Sequence, residues 1–180
     1  MPFTAKSGKF NASINTVEFG TGDKAVKIGG ENVFPLYSFD AAIENAPKVG
    51  IEITDFGMEH EPECIKKYYE GCATLADMAR KAASMEGVDF LSFRMEGGDP
   101  NGANKSTEEL IGELKEIADA VDLPLVVCGC KNVEKDAELF SKAAEALNGK
   151  NAVILSAKEE NYKTVGAAAG LAYKQIVGAE

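Results

Sequence analysis

The sequence has a single histidine, His60, and only four cysteines in 180 residues. One histidine excludes multi-histidine metal sites, and any Ser-His-Asp chemistry would rest on that one side chain. The opening Met1-Pro2-Phe3-Thr4-Ala5-Lys6 lacks the apolar core of a secretory signal. Without an export signal, four cysteines argue against a disulfide framework. Cys64 and Cys72 lie on an expected helix, about two turns apart, where they share a face but cannot bridge. Cys128-Gly129-Cys130 is a CxC and not a CxxC, so the cysteines are read as reduced and structural. Positive charge is also scarce. Nineteen Lys and Arg face 29 Asp and Glu, a formal charge of −10, which argues against non-specific binding to nucleic acid or anionic lipid. No stretch approaches the roughly 18 apolar residues of a membrane span. These absences together predict a cytoplasmic protein with neither nucleic acid nor membrane as partner.

What is present is an ordinary globular composition, 45% apolar and 27% charged, which excludes disordered, collagen-like and coiled-coil classes. At about 150 residues per domain, the length predicts one domain. Residues 1–24 read as an irregular N-terminal arm and 25–180 as the domain. Val26-Lys27-Ile28, the turn Gly29-Gly30-Glu31-Asn32 and Val33-Phe34 predict a β-hairpin. Strands are then expected at 49–53, 88–93, 124–128 and 152–155. Helices are expected at 63–85, from the N-cap Ser106 (in a capping box with Glu109), from the N-cap Asn132, and at 159–176. This alternation predicts an α/β fold, a (βα)4 parallel array preceded by the hairpin. It fits either an open doubly wound sheet or half of a TIM-type (β/α)8 barrel; a full barrel needs about 250 residues. The last helix, Val165 to Tyr173, is apolar on nearly every side. It is expected to be packed tightly on its own sheet or covered by further protein.

Chemistry in parallel α/β folds gathers at the C-terminal strand ends. There the sequence puts Thr54 to His60, Met95 to Asn104, Gly129 to Asn132 and Ser156 to Lys158; the opposite ends carry short turns. Gly97-Gly98 permits close backbone approach, and Asp99-Pro100-Asn101-Gly102 is turn chemistry. The loop matches neither GxGxxG nor a Walker motif. It reads as a structured turn or as neutral donors lining a ligand. Asp55, Glu96 and Asp99 are a candidate carboxylate set for acid–base work or Mg²⁺, although 29 acids supply such sets by chance. His60 reads as a surface residue. Lys131 and Lys158 are poor imine formers, because nothing in their surroundings lowers a lysine pKa. No catalytic residue and no metal ligand is assigned.

Several segments, in order, resemble one family. They are Val26 to Glu31, Phe34 to Phe39, Val49 to Asp55, Asp99 to Ser106, Leu123 to Cys130, Glu134 to Asp136 and Glu160 to Lys163. Together they resemble the barrel domain of the small, or delta, subunit of the corrinoid iron–sulfur protein in the CO dehydrogenase/acetyl-CoA synthase complex. The resemblance covers the first half of the family's (β/α)8 barrel. It implies a non-catalytic scaffold without an iron–sulfur cluster of its own. Its partner would be a large corrinoid- and cluster-carrying subunit, with a methyltransferase and acetyl-CoA synthase as transient partners. The corrinoid would be shared with the large subunit, over the C-terminal strand ends. It takes a methyl group from methyltetrahydrofolate or a pterin analogue and passes it to acetyl-CoA synthase. The implied contacts are Asp99, Asn101, Gly102, Asn104, Gly129, Cys130 and Asn161. Lys131 stands where the family often has glycine. A half barrel leaves sheet edges and the helix around Ala168 uncovered, which predicts self-association or a partner. Two rival readings stay open: a barrel-type methyltransferase binding a folate or pterin, and a stand-alone half-barrel interaction protein.

Overall fold

Two short strands open the fold. The computed structural model describes residues 11–32 and 44–179. β1 (Val17–Phe19) and β2 (Val26–Ile28) pair antiparallel, with Phe19 opposite Val26. The segment expected to be an irregular arm therefore supplies a strand, and β2 pairs backward along the chain. Val33-Phe34, the expected second arm, lie outside the described residues. Gly29 and Gly30 do turn the chain, at φ 81° and 87°.

Five strands then form a parallel sheet: β3 (Gly50–Thr54), β4 (Phe90–Arg94), β5 (Leu125–Cys128), β6 (Val153–Ala157) and β7 (Ile176–Ala179). They are hydrogen-bonded in chain order, each strand beside the next. A doubly wound sheet reverses its order at a switch point; this sheet does not, so its order is that of a barrel wall. Four of the strands are those expected. The fifth corrects the (βα)4 array: a parallel sheet compatible with a partial barrel continues past four units.

Two helices also depart from expectation. The stretch 63–85 is broken into α1 (Glu63–Tyr68) and α2 (Leu75–Ala83). Gly71, at φ 88°, ends the first turn system. Thr74 then starts α2 with a full capping box: its Oγ accepts the Asp77 N–H at 3.1 Å, and Asp77 accepts the Thr74 N–H at 3.2 Å. Cys64 and Cys72 therefore do not share a helix. The stretch 159–176 forms α5 (Tyr162–Val165), a π-helical segment Gly166–Ala172, and then β7. Lys174, at φ 57°, makes the turn. Buried Gln175 pins it: its Oε1 accepts the Ala152 N–H at 2.6 Å, and its Nε2 donates to Leu147 O at 2.9 Å. The apolar segment is not buried all round, since Val165 and Ala169 are enclosed while Leu171 is 72% exposed.

α3 (Thr107–Ala120) and α4 (Val133–Ala146) start where expected. Ser106 Oγ accepts the Glu109 N–H, the first half of the expected capping box, and Asn132 Oδ1 accepts the Lys135 N–H. Their apolar faces, with that of α2, cover one side of the sheet. Leu110, Leu114, Leu139 and Phe140 meet Leu91, Phe93 and Val127 there, all at most 1% exposed. Along a strand, alternate residues face opposite ways. The other side begins with Phe90, Val126 and Val153, and Phe19 and Val26 of the hairpin pack over it. The hairpin thus closes the N-terminal half of that side and, among the described residues, leaves the C-terminal half open.

Candidate functional site

The open half carries polar side chains from three adjacent strands. Glu52 of β3 takes a two-pronged bond from Arg94 of β4: Nε to Oε1 at 2.9 Å and Nη2 to Oε2 at 2.8 Å. This bond keeps the Arg94 pKa above its usual value, against the opposing effect of partial burial. Ser92 lies between them in sequence, 3.6 Å from Cys128 Sγ on β5. Burial pushes the Cys128 thiol up, opposed by Ser92 and Arg94.

Two loops rise above these strands, and both are built on a buried aspartate. In the first, Asp55 accepts the Gly97 N–H with both oxygens, at 2.9 and 3.1 Å. Lys105, at the loop's far end, donates to Asp55 O at 2.8 Å and pairs with Oδ2 at 3.0 Å. A Cβ on Gly97 would collide with the Asp55 carboxylate, so only glycine permits this approach. Burial works against the Lys105 charge, but the bond and charge of Asp55, with Glu113, outweigh it and raise its pKa. In the second loop, Asp136 from the first turn of α4 reaches back to β5. Its Oδ1 accepts the Cys130 N–H at 2.7 Å and the thiol at 3.2 Å. Gly129 passes so close to this carboxylate that a Cβ would collide. Burial, with the Asp136 carboxylate adding to it, pushes the Cys130 thiol up to about 11, so it stays protonated at neutral pH.

These anchors settle where the expected contact residues stand. Asn101, Gly102 and Asn104 are exposed on the tip of the first loop, and Asp99 is half-buried beneath them. Asp99 Oδ1 accepts the Asn101 N–H at 2.9 Å, and Asp99 O takes the N–H groups of Gly102 and Asn104. The tip is thus a self-supporting turn. Gly129 lines a cavity. Cys130 and Asn161 are buried and face inward. Asn161 Oδ1 accepts the Lys158 N–H at 2.8 Å, and its Nδ2 donates to Val133 O at 3.2 Å, fastening the loop after β6 to α4. Asp55 and Asp99 are occupied separately, and among the described residues no group of three or more His, Cys, Asp or Glu could hold a metal ion. His60 stacks at a tilt on Phe56 near the surface, with ring centroids 4.8 Å apart.

The cavity lies at the ends of β4 to β7 and measures about 540 Å³. Arg94, Cys128, Gly129, Lys131, Ser156 and Lys158 are among the residues that line it. Lys131 holds φ 69°, a left-handed backbone that costs a non-glycine residue roughly 1–2 kcal/mol. Sequence reading missed Glu52 and Arg94. The available signal was alternation: polar Glu52, Ser92 and Arg94 interrupt apolar strands at every second position on one face.

Among the described residues, no helix is long and apolar enough to cross a membrane. The sequence profile of the CO dehydrogenase/acetyl-CoA synthase delta subunit family matches residues 16–179. The acetyl-CoA decarbonylase/synthase complex subunit delta of Methanothermobacter thermautotrophicus is 31% identical over 163 residues, 89% of this chain and 41% of that protein. The subunit of the same name from Methanocaldococcus jannaschii is 30% identical over 178 residues, 95% of this chain and 41% of that protein. That from Archaeoglobus fulgidus is 30% identical over 142 residues, 77% of this chain and 30% of that protein. The chain thus spans at most about two fifths of the length of these relatives. With a profile match over nearly its whole length and an open, polar strand-end face on a sequentially ordered parallel sheet, the chain belongs to the family of CO dehydrogenase/acetyl-CoA synthase delta subunits.

Proposed function

We propose that the chain is a non-catalytic scaffold for a corrinoid methyl carrier, walling one side of a corrinoid held mainly by a partner subunit. The corrinoid supplies the cobalt that accepts and releases the methyl group. The chain's part is to present a fixed surface. The observation that carries the reading is the loop from Met95 to Lys105. Its tip shows Asn101 and Asn104 to solvent, while Asp55 and Lys105 clamp its two ends. Neutral amides and backbone groups suit the amide arms of a corrin better than a charged loop would. A cavity of 540 Å³ is too small to enclose a corrin with its arms, so these residues fit one wall of a shared site. β3 and β7 bound the described sheet, and exposed Leu171 lies near the β7 end. A partner subunit of the complex, or a second copy, would cover them.

The test is anaerobic purification of the tagged chain from its native cells, with an absorbance spectrum of the eluate. A partner carrying corrinoid and iron–sulfur absorption is expected, and Asn101→Ala with Asn104→Ala should lower the corrinoid retained per complex. A colourless eluate holding this chain alone overturns the scaffold reading. Saturable binding of methyltetrahydrofolate by the chain alone would replace it with the folate or pterin methyltransferase reading.

A further inference from the structure

The cavity at the ends of β4 to β7 concentrates positive charge in a chain that is otherwise strongly acidic. Arg94, Lys131 and Lys158 line it together with one carboxylate, Asp136, and the acids beside the cations already hold bonds of their own. Asp136 Oδ1 accepts the Cys130 N–H and thiol, and Glu52 gives both oxygens to Arg94. Lys131 makes no hydrogen bond or ion pair with any described residue, and its side chain is exposed at the cavity. Its backbone is left-handed, where glycine would sit without strain. A strained position that nevertheless holds a cation, with no partner among the described residues, points to a ligand.

The geometry of the donors narrows the ligand. The Nε–Nη2 edge of Arg94 already clasps Glu52, so an incoming anion meets only its Nη1–Nη2 end. That end of Arg94 and the Lys131 ammonium group, a compact charge with rotatable donors, suit a tetrahedral oxyanion. The cavity, about 540 Å³, exceeds a bare ion and falls in the range of small-molecule sites. We propose that this cavity binds the phosphate group of a phosphorylated small molecule, with Lys131 and Arg94 as its donors. The site goes beyond the scaffold reading and does not require it. The phosphate can belong to a free ligand or to the nucleotide tail of a corrinoid.

The experiment titrates pyrophosphate and inorganic phosphate into the 180-residue chain by calorimetry, with Lys131→Gly beside the wild type. Glycine suits the backbone at 131, so the variant should melt no lower than the wild type while losing one cation. Saturable pyrophosphate binding, weakened at least ten-fold by Lys131→Gly and falling with added salt, is the expected result. Lys115→Ala, on the helix face away from this cavity, should leave binding unchanged. Absence of saturable binding, or equal binding by Lys131→Gly, overturns the proposal. The source is then read in the partnered complex. Lys131→Gly weakening retention of cobalamin but not of cobinamide, which lacks the phosphate, assigns the site to a corrinoid tail. No effect on either assigns it to a free phosphorylated ligand, and equal weakening of both, which places Lys131 against the corrin and not a phosphate, overturns the proposal. A colourless eluate in the purification experiment leaves the pyrophosphate result untouched, so the two readings fail separately.

Discussion

On its helix side the sheet presents Ile53, Leu91, Phe93, Val127 and Ile154, each no more than 3% exposed. On the opposite side the same strands present Glu52, Ser92, Arg94 and Cys128. One strand therefore serves two purposes, and the alternation of side chains keeps them apart. The helix side is dry and apolar from end to end, and stability is concentrated there. The other side is apolar only under the hairpin, and towards the strand ends it changes to charges, a hydroxyl and a thiol. Substitutions on the two sides should differ in kind as well as in size.

The largest effect is expected on the helix side. Phe140 is fully enclosed among Leu91, Leu114 and their neighbours, so Phe140→Ala should cost about 3–5 kcal/mol through lost burial and a cavity. Urea unfolding checks it, and a loss below 1 kcal/mol would mean that the helices do not seal this face. Next comes the anchor between the two regions. Asp55→Ala frees the Gly97 N–H and leaves Lys105 beside Glu113 without its second carboxylate, which should cost about 2–4 kcal/mol. Hydrogen exchange should speed up at residues 96–105 and stay unchanged at β5. Uniform exchange across both would show that the loop is not held from behind.

On the open side the expected effects are small. Glu52 and Arg94 are 42% and 27% exposed, so solvent screens their pair despite its good geometry. A double-mutant cycle with Glu52→Gln and Arg94→Met should give a coupling below about 1 kcal/mol. A coupling of several kcal/mol would move this pair into the stabilising core. The thiols sharpen the same contrast. Cys130, held protonated by burial with a pKa near 11, should resist alkylation at pH 8, while exposed Cys64 reacts.

The sequence made the helix side readable and the open side largely unreadable. Leu125-Val126-Val127-Cys128 is an uninterrupted apolar run, and Ser106 and Asn132 are helix caps in plain letters, so β5, α3 and α4 fell near their places. β7 escaped because Ile176 to Ala179 is only four residues long and follows an alanine- and glycine-rich segment that satisfies helical periodicity equally well. The break at Gly71 was legible in Thr74 and Asp77, but the apolar spacing running past it outweighed that local signal. For the site, the loop tip at Asn101 to Asn104 was legible as turn chemistry. The pairing of Glu52 with Arg94 was not, because it needs the register of two strands about 40 residues apart, which sets Thr54 opposite Arg94. Cys130 and Asn161 lie at strand ends as their positions implied, yet face inward, and nothing in local spacing distinguishes the two directions.

The smallest effect lies at the seam between the regions, at Glu113. Its Oε1 lies 3.3 Å from Lys105, while its Oε2 is buried and has no hydrogen-bond partner among the described residues. Burial raises its pKa above the ordinary 4.5; Lys105 opposes this, while the carboxylates of Asp55 and Glu109 add to it. The folded state therefore binds this proton more tightly than the unfolded chain. The resulting stability is fully present below pH 4.5 and is lost as pH rises through the raised folded value. Glu113→Gln removes the titration but keeps an oxygen for Lys105, so its stability at pH 7 should lie within about 1 kcal/mol of the wild type. The informative quantity is the slope. Unfolding free energies measured from pH 4.5 upward should fall more steeply for the wild type than for the variant, with the difference closing once Glu113 is fully ionised. Parallel slopes would mean that water reaches Oε2 and relieves its burial. The Asp55–Lys105 clamp would then be a wetter, more loosely held boundary than the dry helix face beside it.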